Sequence, residues 1–276
     1  MKNLFFFLLV VLSGSSLAQQ FDVEVIVFKR NIAPEKVGES WPNQLPPLNL
    51  DDAIRVTTAS ASEDIGSENT TAQLQARGIN LMPAEQFQLN TQYEALKNHA
   101  GFTPLAHIGW RQNSLDRDVS PQIRITGGQD YTGRFLKNGA PVQQSVMDVT
   151  TDNPDATTAP KDALFELDGM IRLYVQTTPL VDTTFDLREP HRRERVIGTD
   201  IADDEHETAI EEDNHQDSGQ EASTVQFGHL QEVKKQVQVD EFLKAYRLEQ
   251  TRKLSNNEVH YIDHPLMGLL IQVRSL

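Results

Sequence analysis

Between positions 165 and 176 the chain alternates strictly, and this pattern constrains its folding most. Phe165, Leu167, Ile171, Leu173 and Val175 share one face with Gly169, while Glu166, Asp168, Met170, Arg172, Tyr174 and Gln176 share the other. Successive side chains of a strand leave opposite faces, so this is a strand buried on one side only. Such a strand belongs to an antiparallel sheet whose apolar face needs a covering layer.

Other segments supply candidates for that sheet. Residues 21–28 (FDVEVIVF) alternate and then turn continuously apolar, which predicts a central strand. Residues 105–112 (LAHIGWRQ) and 122–126 (QIRIT) read as shorter strands, and Gly127-Gly128 and Asn138-Gly139 punctuate the segment between them. Near the end, 244–254 and 258–274 are predicted to form a hairpin across Ser255-Asn256-Asn257, the second strand bending at Pro265 and Gly268. In that hairpin Leu269, Ile271 and Val273 would face Tyr246, Leu248 and Leu254. One helix is expected from about Pro83, with Leu89, Tyr93, Leu96 and Ala100 in one apolar stripe and Gly101 as its stop. Pro34, Pro42, Pro46 and Pro47 make 31–49 an irregular arm, and 59–71 and 150–161 read as loops. The expected fold class is α+β: a predominantly antiparallel β-sheet with one main helix and long irregular surface loops.

Met1 and Lys2 precede an apolar run over 4–12, and Ser16-Leu17-Ala18 carries the small residues of a cleavage site. Residues 1–18 therefore read as a secretory signal peptide, too short to be an anchor. No later stretch approaches the roughly 20 apolar residues of a membrane-spanning helix, so no stable membrane insertion is expected. A complete lack of cysteine excludes a disulfide framework, a thiol nucleophile and thiolate metal sites. Residues 19–276 read as a single α+β domain, interrupted by an acidic loop at 198–224.

That loop dominates the net charge of −15. Ten acids fall between 200 and 221 with no Lys or Arg among them, so the remaining chain carries only −5. Such a block repels itself and reads as a disordered, solvated segment. A calcium site is the alternative, although the D-x-[DN]-x-[DN]-G spacing is missing. Deleting residues 202–222 should leave the melting temperature within a few degrees. A large loss, or calcium-dependent stabilisation of the intact chain alone, would show a structured element. Strong nucleic-acid binding is disfavoured, and no nucleic-acid partner is expected, because phosphate contacts need a basic surface this chain lacks.

No G-x-S-x-G, S-x-x-K, H-E-x-x-H or phosphate-binding glycine loop occurs, so no catalytic residue, metal or cofactor is assigned. The densest polar cluster is His260-Tyr261-Ile262-Asp263-His264. On a strand its histidines would stand about 13 Å apart at roughly 3.3 Å per residue, too far for one zinc ion. Three places combine basic and aromatic residues: Trp110-Arg111-Gln112, residues 246–253 and that cluster. Aromatic faces stack on sugar rings, and Arg or Gln can bond acetamido and carboxylate groups. The candidate ligand-binding residues are therefore Trp110, Arg111, Gln112, Arg252, His260, Asp263 and His264. Equally, Trp110 and Tyr246 could be core aromatics, with Arg247 and Arg252 in cross-strand pairs. A carboxylate pair for glycan cleavage also stays open, since two acids need only be near in space.

The segments FDVEVIVFKRN, ESWP, PLAHIGWRQ and YRLEQTRKLSNNEVHYIDHPLMGLLIQV resemble the CsiV family of periplasmic peptidoglycan-binding proteins of gamma-proteobacteria. The resemblance implies a periplasmic, non-enzymatic factor in cell-wall assembly. It implies peptidoglycan as ligand, and as partner the outer-membrane lipoprotein activator of a bifunctional penicillin-binding protein. An exported cell-wall glycan hydrolase, or a protein-binding scaffold without glycan affinity, are the alternatives.

Overall fold

The computed structural model describes residues 19–42, 44–57, 67–142, 163–199 and 235–276. The expected signal peptide and nearly all of the expected acidic loop lie outside the described residues. The strands are β1 (Gln20–Arg30), β2 (Ala53–Thr57), β3 (Ile79–Leu81), β4 (Phe102–Asn113), β5 (Gln122–Asp130), β6 (Phe165–Val175), β7 (Pro179–Thr199), β8 (Lys235–Lys253), β9 (Val259–Asp263) and β10 (Met267–Ser275). Two helices, α1 (Ser67–Ala76) and α2 (Asn90–Asn98), complete the α+β set.

The strands form two five-stranded sheets, in the orders β3-β4-β1-β10-β9 and β2-β5-β6-β7-β8. β1 is central, antiparallel to both β4 and β10, as its two-sided apolar character demands. β6 lies antiparallel between β5 and β7, while β2 joins β5 in parallel. By compactness the chain divides in two, one unit comprising Met1–Pro190 with Leu243–Leu276 and the other His191–Phe242. Within the second, the His191 and Phe242 rings meet edge to face at 5.3 Å.

In the first unit the apolar rows of both sheets close on one core. Val23, Val25 and Val27 of β1, Ile108 and Trp110 of β4, and Leu269, Ile271 and Val273 of β10 come from one sheet. Ile123 and Ile125 of β5, Leu167, Ile171 and Leu173 of β6, and Val181, Phe185 and Leu187 of β7 come from the other. The alternation over 165–176 thus faces inward where predicted. Gly169 interrupts its row for a steric reason: a Cβ there would stand 2.5 Å from the Phe185 ring on the neighbouring strand.

α2 covers the outer side of the first sheet. The helix starts at Asn90 and not near Pro83, where Ala84–Gln86 make a single 3-10 turn. Of the predicted stripe, Leu89 just before the helix and Tyr93 and Leu96 within it pack on Ile26 and Phe28 of β1. The other side of the stripe lies open, and Ala100 is exposed.

Three expectations need correction. The residue pairs expected in a β8 hairpin meet across the core instead, because β8 belongs to the second sheet and β9 and β10 to the first. Ser255, Asn256 and Asn257 carry the chain from one sheet to the other, with Asn257 at φ 64°. The true hairpin is β9–β10: Pro265, lacking an N–H, breaks 258–274 into two strands, and the His264 N–H closes the turn onto the Met267 carbonyl at 3.1 Å. The loop read over 59–71 gives way from Ser67 to α1, whose Leu74 is buried in the core. Finally, β7 was absent from the expected strands although Val181, Thr183, Phe185 and Leu187 alternate there with Asp182, Thr184, Asp186 and Arg188.

Candidate functional site

The period of two that builds the sheets also divides the residues singled out from the sequence. Trp110 and Gln112 point inward and are 0% and 2% exposed. The Trp110 indole donates to the Gln112 side-chain oxygen at 2.7 Å, and Gln112 donates to the Leu173 carbonyl of the other sheet at 3.0 Å. Burial withdraws both from any surface a polymer could reach. Arg111, between them, points outward and forks onto Asp22 at 2.7 and 3.0 Å.

The terminal candidates are dispersed as well. Arg252 stands exposed near the end of β8, in the second sheet. His260 accepts the Ser255 N–H at 2.8 Å and fastens the crossing between sheets. Asp263 accepts from Arg30 and from the Tyr261 hydroxyl, each at 2.5 Å. His264 sits in the β9–β10 turn beside Trp41, their rings 6.2 Å apart, and burial pushes its pKa down. The seven residues form no single surface.

On the outer face of the first sheet the most enclosed charge is Glu24, wholly buried under the start of α2. Its carboxylate accepts the N–H groups of Gln88 at 2.7 Å and Leu89 at 2.9 Å, His107 Nε2 at 2.9 Å and Arg274 Nη1 at 3.4 Å. Phe87 and Tyr93 pack on the His107 ring at 4.6 and 4.8 Å. Everything here ties helix to sheet.

The outer face of the second sheet is different. Asp168 of β6 and Asp186 of β7 are directly opposed partners, an arrangement that repels unless each is neutralised. Arg124 forks onto Asp168 at 2.7 and 2.8 Å, and Arg247 forks onto Asp186 at 2.7 and 2.9 Å. Arg188 adds longer contacts to Asp168 at 3.3 and 3.4 Å and donates to the Phe165 carbonyl at 2.9 Å. The result is a ladder of alternating charge across four strands. The bond to Asp186 and its charge hold the Arg247 guanidinium above its ordinary pKa despite burial.

Arg124, Asp168, Asp186 and Arg188 of this ladder line a groove of about 690 Å³, and the proline-rich arm supplies the facing wall with Gln44, Leu45, Pro46, Pro47 and Leu48. Arg247 anchors the arm by donating to the Pro46 carbonyl at 2.8 Å. Further along the same sheet a smaller cavity of about 250 Å³ is lined by Arg117, Arg172, Asp182 and Glu249. Asp182 there accepts from Arg117 at 2.9 Å and Thr251 at 2.7 Å. A concave surface carrying paired charges beside aliphatic walls suits a ligand that is itself both charged and apolar. Asp168 and Arg124 were legible as outward strand positions. That Asp186, Arg188 and Arg247 join them depends on strand register.

Among the described residues no group of three or more His, Asp or Glu is placed to hold a metal ion, and no helix is long and apolar enough to cross a membrane. A family model, CsiV, peptidoglycan-binding protein, matches residues 3–276. The chain belongs to that family. No curated protein and no solved structure matches it.

Proposed function

We propose that this chain is a periplasmic accessory protein without enzymatic activity, which binds peptidoglycan and supports cell-wall assembly. The observation that carries the reading is the family match across residues 3–276. The charged groove of the second sheet supports it with a surface suited to a polyionic polymer. Export follows from removal of the leader at 1–18. The partner is the outer-membrane lipoprotein activator of a bifunctional penicillin-binding protein, in keeping with the family resemblance.

Purified chain starting at Gln19 should pellet with isolated sacculi and release no muropeptides into the supernatant. Soluble products would replace this reading with that of a glycan hydrolase. Failure to pellet and absence of products would leave a protein-binding scaffold. Direct binding of the purified activator to the chain tests the partnership separately.

A further inference from the structure

Peptidoglycan has two chemically unlike halves, glycan strands and short stem peptides, and the groove beneath the proline-rich arm discriminates between them. A glycan binder offers aromatic faces, on which the apolar side of a sugar ring stacks. Among the described residues lining the groove none is aromatic. Its walls are aliphatic instead, with Leu45, Pro47 and Leu48 on the arm and Leu164 and Leu243 on the sheet side. The space of about 690 Å³ falls within the roughly 300–1,000 Å³ of clefts for small ligands.

One cation of the groove, Arg188, is placed to take an anionic group of the ligand. Asp168 is already held by the two short bonds from Arg124, so it does not need Arg188. Arg188 reaches that carboxylate only at 3.3 and 3.4 Å, longer than the roughly 2.7–2.9 Å of a strong charge-assisted bond. With Nη1 kept on the Phe165 carbonyl at 2.9 Å, Nη2 can therefore turn to an incoming carboxylate without stranding Asp168. Lys137 lines the same groove, and Asp51, in the turn between the arm and β2, offers a counterpart for an ammonium group. Carboxylates, an ammonium and small methyl side chains on a short backbone are the composition of a stem peptide.

We infer that this groove binds the stem peptide of peptidoglycan, with Arg188 receiving a stem carboxylate and the arm packing over the stem's small aliphatic side chains. The inference rests on the peptidoglycan-binding reading above. The test pairs pelleting of the purified chain with intact sacculi with calorimetry against a free synthetic stem tetrapeptide and against the soluble, stem-free glycan strands that an amidase releases from sacculi. The expected result is that the free tetrapeptide binds and competes with sacculi, whereas the stem-free glycan strands bind at least about tenfold more weakly than the tetrapeptide. Arg188→Gln should weaken binding to intact sacculi by about tenfold, the equivalent of one charge-assisted hydrogen bond. Ala245→Trp, which fills the groove without altering charge, should do the same with a native circular dichroism spectrum, so the result does not depend on either variant alone. Binding to sacculi and to stem-free glycan strands, with neither binding nor competition by the tetrapeptide, overturns the stem-peptide assignment and leaves peptidoglycan binding standing. Absence of binding to every form overturns the peptidoglycan reading itself.

Discussion

A chain that ends after Asp263 will not accumulate as a folded protein. The cut removes β10, and with it one of the two hydrogen-bonded partners of the central strand β1 and the one neighbour of β9 among the described strands. Met267, Leu269, Ile271 and Val273 are all 0% exposed. Each is worth about 1.5–3 kcal/mol when fully buried, so their loss alone rivals a typical total stability of about 5–15 kcal/mol. Truncation also opens the apolar rows of β1 and the facing sheet to water. By contrast, Leu276 is 60% exposed, and removing it alone should leave the protein native. Expression yield, circular dichroism and thermal melting of the two truncated chains provide the check. A cooperative native-like melt from the shorter chain would refute the central position given to β1.

The second large effect is expected at Glu24. Glu24→Ala leaves two backbone N–H groups, His107 and Arg274 without their buried acceptor, and should cost about 3–5 kcal/mol. Burial by itself pushes the Glu24 pKa up. The bond from His107 and those from the Gln88 and Leu89 N–H groups outweigh it, so the pKa lies below the ordinary value of 4.5. A folded pKa below the unfolded one means that the carboxylate stabilises the fold fully above the unfolded value. That stability is lost as pH falls below about 4.5 and through the folded pKa. Denaturant titrations of the native chain and of Glu24→Gln at several pH values check this. Glu24→Gln should be the less stable at neutral pH, and the gap should narrow in acid. A gap that stays constant with pH would show that the charge of Glu24 contributes nothing to stability.

Much of the architecture was legible because period and composition report on local surroundings. The switch of 21–28 from alternating to continuously apolar marks a strand buried on both faces, and β1 holds the central position. The stripe of Leu89, Tyr93 and Leu96 requires an apolar surface, and Ile26 and Phe28 supply it. The same rule of two could have separated Trp110 and Gln112 from Arg111, since adjacent residues of a strand leave opposite faces and cannot meet one ligand. Their side-by-side polarity and aromaticity suggested a site, yet buried Gln112 is satisfied by a carbonyl of the opposite sheet.

Sheet membership was not legible. Residues 244–254 and 258–274 have the pattern of neighbours in one sheet, and nothing local distinguishes a hairpin from a crossing between two sheets. Inward rows look alike whether they pack beside each other or across a core. Pro265 was the available signal, since it removes a ladder donor at the point where β9 turns into β10.

The sequence by itself therefore determined an α+β chain rich in antiparallel strands, the identity of its central strand, its helix stripe and the family to which it belongs. These depend on period, on burial and on local chemistry, all of which act over a few residues. Only the tertiary structure decided which strands share a sheet and, through their register, which charges meet. Asp168 and Asp186 face each other from adjacent strands, and Arg124 and Arg247 neutralise them from strands far apart in the chain. An ion pair forms where side chains end up in space, and the order and register of the strands within the second sheet set that position.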